Sequence, residues 1–157
     1  MTEQIIEWFE DAFLGMRFKS PEMTISADDI KRFAVEYDPQ PMHLDEEAAK
    51  TTLFKGLIAS GWQTAAISMK LVVQTRPLGS LPLIGTGVND LRWMLPVRPG
   101  DTLHVEGEVI ELNPSKTKPQ GQVLIKWTTY NQHAQAVYTF TPFGGSVPRR
   151  PAAAVSL

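Results

Sequence analysis

An α+β domain is the fold class this sequence predicts, and two observations carry the prediction. Up to about Thr75 the apolar residues recur mainly at helical spacing, whereas from about Gly85 they alternate as in strands. The helices therefore come first and the strands follow in one run, which is the order of an α+β domain. The 157 residues fit a single domain, 1–157, with residues 1–10 as an N-terminal extension and 143–157 as a partly ordered tail.

Phe13 to Pro21 opens the chain as a short extended candidate, with Leu14, Met16 and Phe18 alternating against Gly15, Arg17 and Lys19. Ser26 then caps a helix. Asp29 follows at the capping-box distance, and Asp28 and Asp29 suit the positive end of the helix dipole. Ile30, Phe33, Ala34 and Tyr37 form its apolar face. The helix must stop before Pro39, because proline disfavours the helical conformation in its predecessor.

Pro39 to Leu44 reads as a rigid turn containing two prolines. Asp45 caps a short helix from Glu46 to about Thr51. Ser60 caps the longest helix, with Gln63 in the capping-box position and an apolar stripe of Trp62, Ala65, Ala66, Met69, Val72 and Val73. Arg76-Pro77 ends that helix, and Leu78 to Pro82 is a loop.

Val88 to Leu95 is the first strand of the second half. Arg98-Pro99-Gly100-Asp101 is a tight turn. Leu103 to Leu112 alternates cleanly, with Leu103, Val105, Gly107 and Val109 on one face. Asn113 to Gln120 is polar and reads as an exposed loop. Val123 to Asn131 and Ala136 to Thr141 are two further strands, joined around Gln132 and His133. One long apolar helix followed by a meander of strands has a simple solution. The sheet curls around the helix, and short connections make it antiparallel. Its exposed edges call for pairing of two copies.

Composition narrows the function classes. The formal net charge is −2 and no run of Lys or Arg appears, so a nucleic-acid backbone is not an expected partner. There are no cysteines, which excludes disulfides, thiolate metal sites and Cys nucleophiles and suits a cytoplasmic location. Met1 to Glu10 carries Glu3, Glu7 and Glu10 and no early basic residue, unlike a signal peptide. No apolar run approaches the roughly 18 residues of a membrane span. A charged fraction of 20% is slightly low, in keeping with a surface partly covered in an oligomer.

Three residues stand out chemically. Asp38 ends a helix just before Pro39, where the negative end of the helix dipole raises a carboxylate pKa, although Asp-Pro is also a common turn opener. The prolines at 39 and 41 stiffen the link from Asp38 to His43, so the two side chains can meet and share a water. A His beside a carboxylate exchanges protons near neutrality, although a single His is often only structural. Gly61 follows the Ser60 cap, so its N–H has no partner within the helix and can receive an oxyanion; relief of packing against the sheet is the alternative. Asp38, His43 and Asp45 lack the number and spacing of a metal site. His104 and His133 have no comparable neighbours in sequence. Trp62, Met69 and the rest of the stripe are core by default, and Arg98 and Lys118 are solvated.

The stretch Phe33 to Gly61, FAVEYDPQPMHLDEEAAKTTLFKGLIASG, resembles the MaoC-like dehydratases, a hot-dog fold family that includes R-specific enoyl-CoA hydratases. Asp38, Pro41, His43 and Asp45 match the family motif position by position, and Phe54, Ile58 and Gly61 match its continuation. Leu91 to Asp101, LRWMLPVRPGD, is similar to the family's strand and tight turn, so the resemblance runs from about Phe13 to Thr141. It implies a single hot-dog domain, a long central helix wrapped by a curved antiparallel sheet. It implies catalysis by Asp38, His43 and the Gly61 amide, with Pro41, Phe54, Ile58, Ser60 and Trp62 at the substrate.

The implied reaction is addition of water to an enoyl thioester, or its reversal, on an acyl-CoA or acyl-carrier-protein substrate of fatty acid metabolism. It needs no metal or redox cofactor, and coenzyme A enters as the substrate's carrier. A homodimer or an assembly of dimers is implied. Gln40 stands where the family often has Asn and Ser60 where it often has His. The hydratase branch's Ser falls at Met69, one helical step of about 100° beyond Ser68. These departures fit a different acyl group. Thioester hydrolysis and non-catalytic acyl binding are the rival readings, because a fold alone does not decide function.

Overall fold

A computed structural model of the chain describes residues 4–153. The remainder of the N-terminal extension (1–3) and the end of the tail (154–157) lie outside the described residues. The helices are α1 (Ala27–Tyr37), α2 (Pro41–Leu44), α3 (Glu46–Lys50) and α4 (Gly61–Thr75). The strands are β1 (Arg17–Lys19), β2 (Met23–Thr24), β3 (Gly87–Trp93), β4 (Thr102–Pro114), β5 (Gln120–Tyr130), β6 (Ala136–Phe143) and β7 (Val147–Pro148). The sheet runs β1-β4-β5-β6-β3, with β2 beside β4 and β7 beside β5, and every pairing is antiparallel. Register shifts at Val109/Glu111 and Asn89/Arg92 mark bulges, which bend strands. The expected α+β class, a central helix against an antiparallel sheet, is what the chain forms.

The apolar alternation of β4 builds the floor of the core. Leu103, Val105 and Val109 are all buried, and they cluster with Ile67, Leu71 and Val72 of α4 and with Trp127, Tyr138 and Phe140 of the sheet. α1 begins as its sequence dictates. The Asp29 amide donates to Ser26 Oγ and the Ser26 amide to Asp29 Oδ2, which closes the capping box. Asp45 caps α3 by accepting from the Ala48 amide at 2.8 Å.

Four local expectations are corrected. The stretch from Phe13 is strand only over Arg17–Lys19, because a turn at Gly15 (φ 83°) leaves Leu14 exposed while Met16 and Phe18 are buried. Pro39–Leu44 is not all turn: Pro41 sits at the first position of α2, where its fixed φ is helical and its missing N–H costs nothing. On α4 the buried face is Gln63, Thr64, Ile67, Ser68, Leu71 and Val72, so Trp62, Met69 and Val73 of the expected core stripe are exposed. Gln63 forms no capping box, because its amide reaches across to donate to the Asp29 carbonyl.

The segment after Pro142 is more ordered than its Gly-, Pro- and Arg-rich composition suggests. Val147 is buried and pairs with Gly121. Arg149 and Arg150 then form ion pairs with Glu10 and Asp11, which tie this segment to the N-terminal region.

Candidate active site

Three elements converge on Asp38. The carboxylate hangs from the C-cap of α1, where its own amide donates to the Ala34 carbonyl. His43 sits on α2, and Ser60 is the N-cap of α4. Asp38 Oδ2 accepts a 2.6 Å hydrogen bond from Ser60 Oγ and lies 3.3 Å from His43 Nε2. Asp38 Oδ1 accepts from Gln40 Nε2 at 2.7 Å. The structure therefore brings Asp38 and His43 together, as the stiff proline link requires.

The imidazole is fixed from its far side. His43 Nδ1 lies 2.7 Å from the Ile58 carbonyl, which can only accept, so the Nδ1 proton is committed there. Nε2 is left facing Asp38. As an imidazolium it donates to the carboxylate; as the neutral ring it presents a lone pair, so a water beside the pair could donate to both groups. The His43 side chain is 5% exposed and that of Asp38 17%, so the pair opens to solvent on the carboxylate side.

Burial pushes the Asp38 carboxyl upward, but the hydrogen bonds from Ser60 and Gln40 and the charge of His43 outweigh it, and its pKa lies below the ordinary value. This reverses the rise expected from the helix dipole. Donors aimed directly at the two oxygens outweigh the diffuse field of a helix end.

Gly61 is the first residue of α4. Its N–H points out of the helix start and finds no acceptor among the described residues, while the next amide, of Trp62, donates to Ser60 Oγ at 3.2 Å. Ser60 therefore joins the carboxylate to the helix start: its proton goes to Asp38 and its lone pair to Trp62. Ser60 is fully buried, so its place is beneath the carboxylate rather than at a wall open to substrate.

The other expected substrate residues divide. Ile58 is buried and holds His43 through its carbonyl. Pro41 starts α2 and sets the position of His43. The Phe54 carbonyl accepts from Arg98 Nη2 at 2.8 Å, which gives Arg98 a structural partner. Trp62 is 60% exposed and stands edge-on to Trp93, with ring centroids 5.0 Å apart.

Two features escaped the sequence reading. Gln40 faces Asp38 across Pro39, a two-residue spacing that was available in the sequence. Trp93 arrives from β3 and donates Nε1–H to the Gly61 carbonyl at 2.7 Å, a pairing that only the folded sheet creates. His104 does have a carboxylate beside it, Glu106 at 3.1 Å on the same strand face. Among the described residues no group of three or more His, Asp or Glu side chains gathers as metal ligands.

Comparison with known proteins follows the same lines. A family model described as a MaoC like domain matches residues 11–131. The chain is 41% identical over 125 residues to the uncharacterized protein YdeM of Bacillus subtilis, covering 80% of this chain and 88% of that one. It is 37% identical over 117 residues to an (R)-specific enoyl-CoA hydratase of Rhodospirillum rubrum, covering 71% and 76%. The crystal structure of a MaoC-like dehydratase from Rhodospirillum rubrum superposes with a TM-score of 0.81 at 44% identity, over 92% of this chain and 99% of that one.

Proposed function

This chain belongs to the MaoC-like domain family, and from that premise we propose that it is a hydro-lyase that adds water to a 2-enoyl thioester, or removes it from the 3-hydroxyacyl product. The observation that carries the reading is the Asp38–His43 pair, 3.3 Å apart, with its carboxylate bonded to the residue that precedes a free helix N-terminal amide. A base and an oxyanion donor are thereby fixed to one another through Ser60.

In the hydration direction the thioester oxygen accepts from the Gly61 N–H. That draws electron density from the conjugated double bond and makes the β-carbon electrophilic. Water held between Asp38 and His43 attacks there, and one of its protons passes to the pair. The negative charge moves to the thioester oxygen, where an amide already oriented stabilises it without reorganisation. The α-carbon then takes a proton from the pair, so one H and one OH have been added and the site is restored. A carboxylate has about four lone-pair sites, so acceptance from Ser60 and Gln40 leaves capacity for the water.

The substrate we assign is an acyl-CoA, with coenzyme A as carrier, and the chemistry requires neither metal nor redox cofactor. No helix among the described residues is long and apolar enough to cross a membrane. A cytoplasmic setting, a role in fatty acid metabolism and pairing of two copies belong to the same reading.

The test follows the conjugated-enoyl absorbance of trans-2-enoyl-CoA substrates beside a free-thiol assay. The expected result is loss of the enoyl signal without thiol release. Asp38→Asn is expected to lower kcat by roughly a hundred- to ten-thousand-fold, the usual range for acid–base groups. Thiol release would make the chain a thioesterase, and turnover undiminished in Asp38→Asn would remove the carboxylate from the mechanism.

A further inference from the structure

Positions 61, 65, 69 and 72 share one stripe of α4, at the spacing that stacks side chains on a helix face. Beyond Gly61 this stripe forms one wall of a largely apolar cavity of about 730 Å³, half open to solvent and inside the roughly 300–1,000 Å³ range of small-molecule pockets. Ala65, Met69 and Val72 line it from the helix, and Trp127, Tyr138 and Phe140 line it from the sheet. Ala65 lies one helical turn, about 6 Å, along the axis from Gly61. A chain leaving a carbonyl at the Gly61 amide therefore has an apolar path to follow, and Trp93 stands at its head.

The Trp93 indole lies against Gly61: a side-chain carbon added there would sit 2.8 Å from its ring atoms. It is held by its bond to the Gly61 carbonyl, by the edge-on Trp62, and by stacking on Tyr138 at 6.0 Å. Tyr138 is itself a wall of the cavity, so the indole touches both the helix start and that wall. Yet Trp93 is 43% exposed, so no closed shell of core surrounds it.

We propose that Trp93 is the specificity-determining residue of this site, closing the passage from the Gly61 amide to the apolar cavity and so restricting the enzyme to short acyl groups. The proposal rests on the hydration reading, since it takes Gly61 as the carbonyl's anchor. Removing the indole joins the site to the cavity, and each further methylene buried there strengthens binding about fourfold.

The experiment compares wild type, Trp93→Ala, and Trp93→Ala combined with Ala65→Phe, which refills the cavity mouth. Hydration of trans-2-enoyl-CoA is measured with butenoyl and dodecenoyl chains. Binding of saturated butanoyl- and dodecanoyl-CoA is measured separately by calorimetry. Trp93→Ala is expected to raise the dodecenoyl-to-butenoyl ratio of kcat/KM by tenfold or more, and the added Ala65→Phe to reverse most of that gain. A ratio unmoved in folded Trp93→Ala overturns the gate, as does a gain that survives Ala65→Phe.

Should wild type hydrate neither substrate, the hydration reading falls and the binding arm decides the gate by the same ratio. Failure of every variant to bind either acyl-CoA overturns both. Circular dichroism checks folding, and Trp93→Leu, judged by the same criterion, replaces an alanine variant that does not fold.

Discussion

Ser60 is the residue on which the site's electrostatics turn, because one hydroxyl serves both Asp38 and the start of α4. Ser60→Ala removes the donor to Oδ2 and leaves burial, which raises the carboxyl pKa, less opposed. The acidic limb of the kcat/KM profile is then expected to move to higher pH, and Ser60→Thr to restore it. A titration of turnover against pH checks this. The same change is expected to cost about 1 kcal/mol through the lost N-cap. The stability linkage has a definite sign. A carboxylate whose folded pKa is depressed contributes stability above its ordinary value of 3.8 and loses it as pH falls through the lowered folded value. The gap between wild type and Ser60→Ala in urea melts is therefore expected to be larger near neutrality than at about pH 3. Part of this was legible in the sequence: the stiff proline link brings Asp38 to His43 and the Ser60 cap frees the Gly61 amide, while their roles came from the family resemblance. The direction of the Asp38 shift was not, because Ser60 lies far along the chain and its hydroxyl arrives only with the fold.

At the scale of the element, α4 shows where pattern reading fails. Its apolar residues are spread around the helix, and the face turned to the sheet includes Gln63, Thr64 and Ser68. Buried polar groups mostly carry hydrogen-bond partners, and on α4 two of those partners come from other elements. Gln63 finds the Asp29 carbonyl and Ser68 finds Thr129 on β5, neither of which a period on one helix can disclose. The Ser68–Thr129 bond has a direction. Ser68 Oγ already donates to the Thr64 carbonyl at 2.7 Å, so at 2.6 Å the Thr129 hydroxyl is the donor and Ser68 the acceptor. Ser68→Ala therefore strands a fully buried O–H and is expected to destabilise the fold by about 1–3 kcal/mol. Thr129→Val leaves Ser68 bonded to its own helix and is expected to cost clearly less. The double variant is expected to recover part of the Ser68→Ala loss, and urea denaturation of the three proteins measures it. The strands themselves were more legible than their ends: most of β4 alternates between faces and a period of two survives in sequence, yet β4 runs to Pro114 and β5 starts at Gln120, both inside the stretch expected to be loop.

For the whole molecule, the β3 side carries an exposed apolar surface. β3 ends the sheet order with one edge unpaired among the described residues, and Trp93, Met94 and Leu95 at its end are each more than 40% exposed. Trp62 of α4, edge-on to Trp93, extends the apolar surface. A free edge beside exposed aromatic and aliphatic side chains is a template for association, and a second copy of the chain satisfies it symmetrically. Arg149 and Arg150 pair elsewhere, with Glu10 and Asp11. Sedimentation is therefore expected to give twice the mass of one chain. Met94→Lys tests whether β3 forms the contact. Met94 is 44% exposed, and a substitution at such a surface ordinarily changes monomer stability by about 0.5 kcal/mol or less. A lysine from each copy buried at a twofold contact sets two unpaired charges in a low-dielectric interface, which opposes association strongly. Met94→Lys is thus expected to sediment as a folded monomer. A dimer that survives it would move the contact away from this end of β3, and a wild type that stays monomeric at high concentration would leave the exposed Trp62–Trp93 surface to the substrate alone.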